Sequence, residues 1–340
     1  MTTTQKKQLV PIIAMIFLFG MISYVTNLAS PVGDILKNQF TVPNWMGTLG
    51  VFANFIAYAA MGYPAGNLLQ RLGYKKTSLI AITVGFVGVG IQTISGIIPG
   101  ISAFVVYLVG ALVAGFSMCL LNTVVNPMLN SLGGGGNKGN QLIQIGGSFN
   151  SLCGTAVVIL TGILIPTTIA EAKISHVFPL MYTALAIFAF AFIVIVLTDI
   201  PEKAKAKQET AQSSQYSPLS FRHFILGAIG IFVYVGVEVG IPNILQKWLQ
   251  NPDLNVLKSN AEAIAGSVAG TYWFLMLIGR LIGAAIGSKV SAKSMLSVVS
   301  TIGLVLTLAA IFAPVRDFPL PVFKGAAGFG LENVPVNAAL

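Results

Sequence analysis

The chain is organised around one amide-rich stretch, LLNTVVNPMLNSLGGGGNKGNQLIQIGGSFNSLCGT, which occupies residues 120–155. Asn122, Asn126 and Asn130 recur every four residues, so they would stack on one face of a helix. The glycine-rich run that follows is a turn that a helix would not tolerate. Polar side chains then step by three and four along a second helix: Gln141, Gln144, Ser148, Ser151 and Thr155.

The apolar surroundings of these side chains indicate where they lie. Both helices are apolar at their other positions and are long enough to cross a membrane. Lipid offers no hydrogen bonds, so an amide stripe on such a helix must face other protein or a water-filled cavity. The stretch therefore predicts the wall of a polar pathway through a membrane, which is typical of a transporter.

The composition places the whole chain in a membrane. Of 340 residues, 55% are hydrophobic and 9% are charged, whereas soluble domains carry about 25% charged residues. The net charge of +9 is explained by membrane orientation, so no nucleic-acid partner is predicted. Cys119 and Cys153 fall within apolar helices, and His176 and His223 have no ligand-spaced partners. We therefore predict no metal site.

Ten apolar stretches are long enough to cross a hydrocarbon core of roughly 30 Å. They are residues 9–28, 47–69, 77–96, 101–128, 142–166, 177–198, 224–245, 263–287, 295–313 and 318–340. The polar stretch at 199–222 is interpreted as a disordered or amphipathic linker. It divides the chain into an N-terminal six-helix half, residues 1–198, and a C-terminal part of about four helices, residues 223–340.

The distribution of basic residues predicts the orientation. Most of the 19 Lys and Arg residues lie in loops on the side of the N-terminus, the linker included. Because positively charged loops stay in the cytoplasm, we expect the N-terminus and the linker to be cytoplasmic. The first span is not followed by a small-residue cleavage site, so it is interpreted as a membrane span. A multi-pass protein of the inner cell membrane is expected.

A glycine and lysine motif recurs in both halves and predicts gating loops. In each half two glycines four apart precede a lysine, and a leucine follows three residues later. Small residues let helices approach closely, and basic residues can bind the carbonyls at helix C-termini; plain anchoring by positive charge is the alternative. The predicted gating residues are Gly62, Gly66, Arg71, Gly73, Lys75 and Lys76, with Gly279, Arg280, Gly283 and Lys293 as their counterparts.

A set of short motifs runs through nearly the whole chain: Phe17-Leu18-Phe19-Gly20, Asn27, Pro31, Pro64-Ala65-Gly66, Gly73-Tyr74-Lys75-Lys76, Asn126-Pro127, Ser148-Phe149-Asn150-Ser151, Tyr234-Val235-Gly236-Val237-Glu238 and Ile278-Gly279-Arg280. In these motifs the chain resembles the major facilitator superfamily and, within it, the fucose/glucose–galactose permease branch. The resemblance implies an all-α membrane bundle of two pseudo-symmetric six-helix halves, alternating access, and a sugar site between the halves. With about ten of twelve spans, the chain is expected to be a fragment, a truncated product or a frameshifted reading.

The chain departs from the fucose-type proton symporters at three aligned positions. The resemblance places Asn27 and Asn122 where those symporters carry acidic residues, and Gly147 where they carry glutamine. Asparagine keeps the hydrogen-bonding shape but does not titrate near neutral pH. The coupling ion is therefore left open between Na⁺ and H⁺, and no other cofactor is expected.

The predicted sugar site combines amides with aromatic rings, because a sugar needs hydrogen-bond partners and an apolar face to stack on. Glu238 is the predicted coupling residue, since a carboxylate inside a membrane span is a functional candidate. A structural carboxylate is the alternative. The predicted substrate-binding residues are Asn27, Asn122, Asn126, Gln141, Gln144, Asn150, Tyr234, Asn243 and Trp273.

The function predicted from these observations is cation-coupled import of a monosaccharide, such as glucose, galactose or fucose, by a monomer. One alternative keeps the fold but exports small amphipathic compounds in exchange for protons. A second alternative is a sensor or fragment that does not transport. The sequence contains no nucleophile–base arrangement, phosphate loop or redox motif, so an enzyme is not predicted.

Overall fold

The computed structural model describes residues 3–165, 172–201, 220–250, 261–313, 316–324 and 327–339. Helices dominate these residues. They are α1 (Thr3–Phe40), α2 (Asn44–Gly47), α3 (Leu49–Ser95), α4 (Ser102–Leu132), α5 (Gly136–Leu164), α6 (Phe178–Leu197), α7 (Arg222–Gln250), α8 (Ala261–Ile286) and α9 (Ala292–Phe312). A 3₁₀ turn, Ile174–Val177, precedes α6. Most of the predicted linker, residues 202–219, lies outside the described residues.

Helix α3 contains two membrane spans joined at Gly73. This glycine has φ +80° and ψ 178°, a conformation that residues with a Cβ rarely adopt. Before it, Asn54 and Ala57 lie against Gly115 of α4; after it, Gly88 lies against Ala114, and Gln92 against the preceding turn of α4. The first segment therefore runs parallel to α4 and the second antiparallel to it, so the two segments form a hairpin.

The predicted all-α membrane bundle is confirmed for the described spans. Eight described helices are long and apolar enough to cross a membrane, and one of them is the double-span α3. Together they account for the first nine predicted spans. Helices α4 and α1 are the most enclosed of these helices, and in α1 Met15, Leu18, Val32 and Ile35 are all fully buried. A helix that is hydrophobic all round belongs in the interior of a bundle.

The tenth predicted span, residues 318–340, is wrong. The structure has an antiparallel hairpin of β1 (Asp317–Phe323) and β2 (Phe329–Pro335), followed by the short helix α10 (Val336–Ala339). Pro319 and Pro321 lie two residues apart in β1, and each would remove a donor and clash inside a helix. Gly328 precedes β2 with φ +78°. Apolar composition alone did not reveal this local geometry.

The chain separates into two compact units. The first comprises Met1–Glu202 with Met276–Met295, and the second comprises Lys203–Leu275 with Leu296–Leu340. The end of α8 therefore belongs to the first unit, which also contains α1 to α6. In the second unit the hairpin packs on the preceding part of α8, where the backbone N–H of Phe323 donates to Oγ1 of Thr271 (2.7 Å). The Phe323 ring also stacks on Phe274, with centroids 5.2 Å apart.

Candidate functional site

The amide stripe of α4 is held by hydrogen bonds to its surroundings. Nδ2 of Asn122 donates to the phenolic oxygen of Tyr58 on α3 at 2.7 Å. Nδ2 of Asn126 donates to the backbone oxygen of Asn122 at 3.2 Å. All three side chains are half-buried. Tyr58 was not predicted from the sequence, because nothing in the periodicity of α3 indicates which α4 residue it meets.

Asn27 of α1 faces α5 at a glycine. Its Nδ2 donates to the backbone oxygen of Ser23 (2.8 Å) and to Oγ of Ser23 (3.0 Å). A Cβ added at Gly154 would lie 2.8 Å from Oγ of Ser23 and 2.9 Å from Nδ2 of Asn27. Such distances are too short for carbon, so Gly154 provides the space in which the Asn27 amide sits.

The amide stripe of α5 lies against the end of α8. One nitrogen of Arg280, Nη1, donates to the backbone oxygen of Gly147 (3.1 Å), to Oδ1 of Asn150 (3.2 Å) and to Oγ of Ser151 (2.8 Å). Nδ2 of Asn150 in turn donates to the backbone oxygen of Phe19 on α1 (2.8 Å). Arg280 was predicted as a gating residue and Asn150 as a sugar ligand, and the structure brings the two into direct contact.

Two more predicted sugar ligands lie along the same contact. Nε2 of Gln141 donates to the backbone oxygen of Ala284 at 3.1 Å. A Cβ added at Gly283 would lie 3.4 Å from Oε1 of Gln144. As the numbers rise along α5 they fall along α8, so the helices are antiparallel. We call the contact between residues 141–151 of α5 and residues 280–284 of α8 the α5–α8 seam.

Lys75 is a predicted gating residue of the first unit that lies outside the α5–α8 seam and contacts the end of α6. Nζ of Lys75 donates to the backbone oxygens of Val196 (2.8 Å) and Thr198 (2.9 Å), at the C-terminus of α6. This is the carbonyl capping that was predicted for a basic residue of this loop. Other predicted members are exposed or make no close contact among the described residues; they are Gly62, Gly66, Arg71, Lys76, Gly279 and Lys293.

The predicted residues of the second unit lie on α7 and α8. The backbone oxygen of Glu238 accepts a hydrogen bond from the phenol of Tyr272 (3.1 Å). The Tyr272 ring meets that of Trp273 edge to face, with centroids 5.5 Å apart. Nδ2 of Asn243 donates to the backbone oxygen of Val239 (2.7 Å), and Tyr234 is 55% exposed. Tyr272 is a second aromatic neighbour that the sequence did not single out.

The side chains of the predicted sugar ligands and their neighbours carry the groups expected of a site for a polar, uncharged solute. They supply amide oxygens, hydroxyls and aromatic faces, which are the groups that bind sugars. No group of three or more His, Cys, Asp or Glu residues that could hold a metal ion occurs in the described part of the chain.

Comparisons with known proteins agree with the fold of the membrane bundle. The family model described as Major Facilitator Superfamily matches residues 12–340. A glucose/galactose transporter of Brucella abortus (strain 2308) is 29% identical over 293 residues, which cover 84% of this chain and 68% of that protein. The L-fucose-proton symporter of Escherichia coli (strain K12) is 22% identical, with 91% of this chain and 74% of the symporter covered.

A solved structure has the same fold. It is the crystal structure of FucP, a Major Facilitator Superfamily transporter, in the outward conformation. The match has a TM-score of 0.75 at 20% sequence identity and covers 90% of this chain and 78% of that one.

Proposed function

Because the chain belongs to the Major Facilitator Superfamily, we propose that it imports a monosaccharide by alternating access, coupled to a cation gradient. It is a multi-pass membrane transporter and not an enzyme. The relatives reported above are named as sugar transporters, which supports a hexose or deoxyhexose as the substrate. We further propose a monomer in the inner membrane, with the N-terminus in the cytoplasm.

The observation that carries this proposal is the way five amides are hydrogen-bonded. The side-chain nitrogen of each amide donates a hydrogen bond to a backbone carbonyl. The five amides are Asn27, Asn126, Gln141, Asn150 and Asn243. A backbone carbonyl only accepts hydrogen bonds, so the amide must turn its NH₂ group toward it. The amide oxygens are thereby oriented as neutral acceptors, and that of Asn150 accepts from Arg280 in this structure. Neutral acceptors match the hydroxyl donors of an uncharged sugar, whereas an amphipathic cargo calls for an apolar wall.

The gate that we propose is the α5–α8 seam. Opening the pathway at the seam requires α5 and α8 to part, and this breaks the three bonds of Arg280 Nη1. In this proposal Gln141, Gln144 and Asn150 close the pathway in one state and become available to the sugar in another. Lys75 would hold the α6 terminus against the start of the second span of α3 during this movement.

For cation coupling we propose Glu238. It lies within α7, it is half-buried, and its backbone oxygen is fixed by Tyr272. A carboxylate inside a membrane span is costly unless it serves a function or has a partner. Sodium accepts carboxylate and amide oxygens as ligands, as related hard cations do, and the non-titrating Asn27 and Asn122 leave Glu238 as our candidate.

The experiment measures uptake of radiolabelled glucose, galactose and fucose into proteoliposomes. A sodium gradient and a proton gradient are imposed separately, and Glu238→Gln is measured beside the wild type. We expect one gradient to drive accumulation of at least one sugar, and we expect Glu238→Gln to abolish accumulation while exchange without a gradient continues. The coupling would be lost while the sugar site remains.

The matched control is Glu332→Gln. Glu332 is a carboxylate of the second unit that forms an ion pair with Lys324 in the β-hairpin. The Glu332→Gln variant should accumulate sugar as the wild type does. Accumulation that survives Glu238→Gln would refute the coupling role, and the absence of sugar uptake under either gradient would refute the sugar assignment.

A further inference from the structure

Tyr58 occupies a defined place beside the amide stripe of α4. The neighbouring Ala57 is packed closely on Gly115, where an added Cβ would lie 2.7 Å from the Cβ of Ala57. One turn further along α4, the thiol of Cys119 contacts the backbone oxygen of Tyr58 at 3.8 Å. The Tyr58 backbone is thus set by close helix packing, and its phenol reaches Asn122 at 2.7 Å.

The hydrogen bond between Tyr58 and Asn122 leaves each partner with one unused function. When Nδ2 of Asn122 donates to the phenolic oxygen, the phenol still has its own O–H to donate, and Oδ1 of Asn122 can still accept. Among the described residues, neither group has a further hydrogen-bond partner. If the amide were turned over, the phenol would donate to Oδ1, and Nδ2 would become the available donor. Either way the pair offers one donor beside one acceptor.

A sugar hydroxyl is the complementary group, because it donates one hydrogen bond and accepts others. We propose that Tyr58 is a specificity-determining residue: with Asn122 it binds one hydroxyl group of the transported sugar. The inference rests on the proposed function and adds to it a residue and a mode of recognition. It also gives a reason for an asparagine at position 122, since a carboxylate there would supply acceptors only.

The competing role for Tyr58 is purely structural. A phenol that only ties α3 to α4 would affect the stability of the protein and the uptake of every sugar alike. A phenol that binds one hydroxyl affects the affinity for sugars that carry this hydroxyl and leaves the corresponding deoxy sugar unaffected. A set of deoxy sugars therefore distinguishes the two roles.

The test measures KM and kcat in proteoliposomes for the transported sugar and for each of its mono-deoxy analogues. For the wild type we expect one analogue to have a KM about tenfold higher than the parent sugar, as for the loss of a neutral hydrogen bond. In Tyr58→Phe the parent sugar should show the same increase. The KM of that one analogue should be the same in wild type and variant, with kcat within about twofold.

Two further variants complete the test: Tyr107→Phe controls for damage to the fold, and Asn122→Leu removes the other partner of the hydrogen bond. Tyr107→Phe removes the hydroxyl of another buried tyrosine of the first unit, which donates to the backbone oxygen of Ala29 at 3.2 Å. It should lower thermal stability without changing the preference among deoxy sugars. In Asn122→Leu, where leucine is similar in shape to asparagine, KM should rise for the same sugars as in Tyr58→Phe and stay unchanged for the same deoxy analogue.

Each result of these measurements either supports or overturns the inference. It is overturned if Tyr58→Phe weakens all analogues equally, if it changes thermal stability alone, or if Asn122→Leu singles out a different hydroxyl. A wild type that transports no sugar refutes the proposed function itself. The two failures are distinguishable, because the first is seen only when the wild type transports sugar.

Discussion

Replacing Arg280 with lysine should favour the open state of the α5–α8 seam. Nη1 of Arg280 makes three hydrogen bonds of 2.8–3.2 Å to Gly147, Asn150 and Ser151. Bonds from a charged donor contribute about 1.5–3 kcal/mol each, and an ammonium cannot reproduce the planar geometry of a guanidinium. A loss of about 2 kcal/mol, equivalent to one such bond, would shift the equilibrium toward the open seam roughly 30-fold.

The assay is the labelling rate of a cysteine placed in the seam. Gln144→Cys is introduced after Cys119 and Cys153 have been changed to serine, and membrane-impermeant maleimide is added to vesicles of each orientation. On the face to which the seam opens, we expect Arg280→Lys to increase the labelling rate roughly 30-fold. Arg222→Lys makes the same change at an exposed arginine outside the seam, and it should label as the parent protein does.

Equal labelling rates in Arg280→Lys and the parent protein, on both faces, would refute the reasoning. The arginine would then contribute nothing to keeping the seam closed. A decrease in labelling would refute it as well, because it would mean that Arg280 favours the open seam.

Two further predictions concern helix packing in the first unit. Lys75→Met should lower the thermal unfolding temperature of the purified protein by several degrees, because two carbonyls at the end of α6 lose a charged donor. The control is Lys76→Met, at an exposed neighbour, which should leave the unfolding temperature unchanged. Equal unfolding temperatures of the two variants would contradict this prediction. Gly154→Ala should lower sugar affinity about tenfold, as for the loss of one neutral hydrogen bond, by displacing the amide of Asn27. The control is Gly90→Ala, where an added Cβ meets nothing within 4 Å among the described residues, and its sugar affinity should be unchanged. Unchanged sugar affinity in Gly154→Ala would show that Asn27 does not bind the sugar.

The sequence was sufficient for the membrane bundle, because span length and apolar composition are local properties. Nine predicted spans correspond to described helices, and the kink at Gly73 falls in the predicted loop between two of them. The tenth span was wrong because a hydropathy pattern does not weigh the backbone restrictions of Pro319 and Pro321. The composition of residues 318–340 is apolar enough for a span, but the structure has two strands there.

The site could be predicted in composition but not in connectivity. Periodicity predicted that Asn122 and Gln141 lie on polar helix faces, because the helical repeat is encoded within each segment. Asn150 was predicted from the family resemblance. It could not show that Asn122 meets Tyr58 or that Asn150 meets Arg280, since these residues are 64 and 130 positions apart. Such pairs are set by the packing of distant helices. One sequence without its relatives contains no record of that packing.

The hairpin within α3 has a consequence for how the chain is made. Its two spans are joined through Gly73 without an intervening loop, and both lie along α4. Such a short connection keeps the two spans side by side as soon as both have been synthesised. We expect the pair to enter the bilayer together, with the turn leading on one side. Biogenesis of this region is then the insertion of a single hairpin, and the left-handed glycine at its tip is needed before any substrate is encountered.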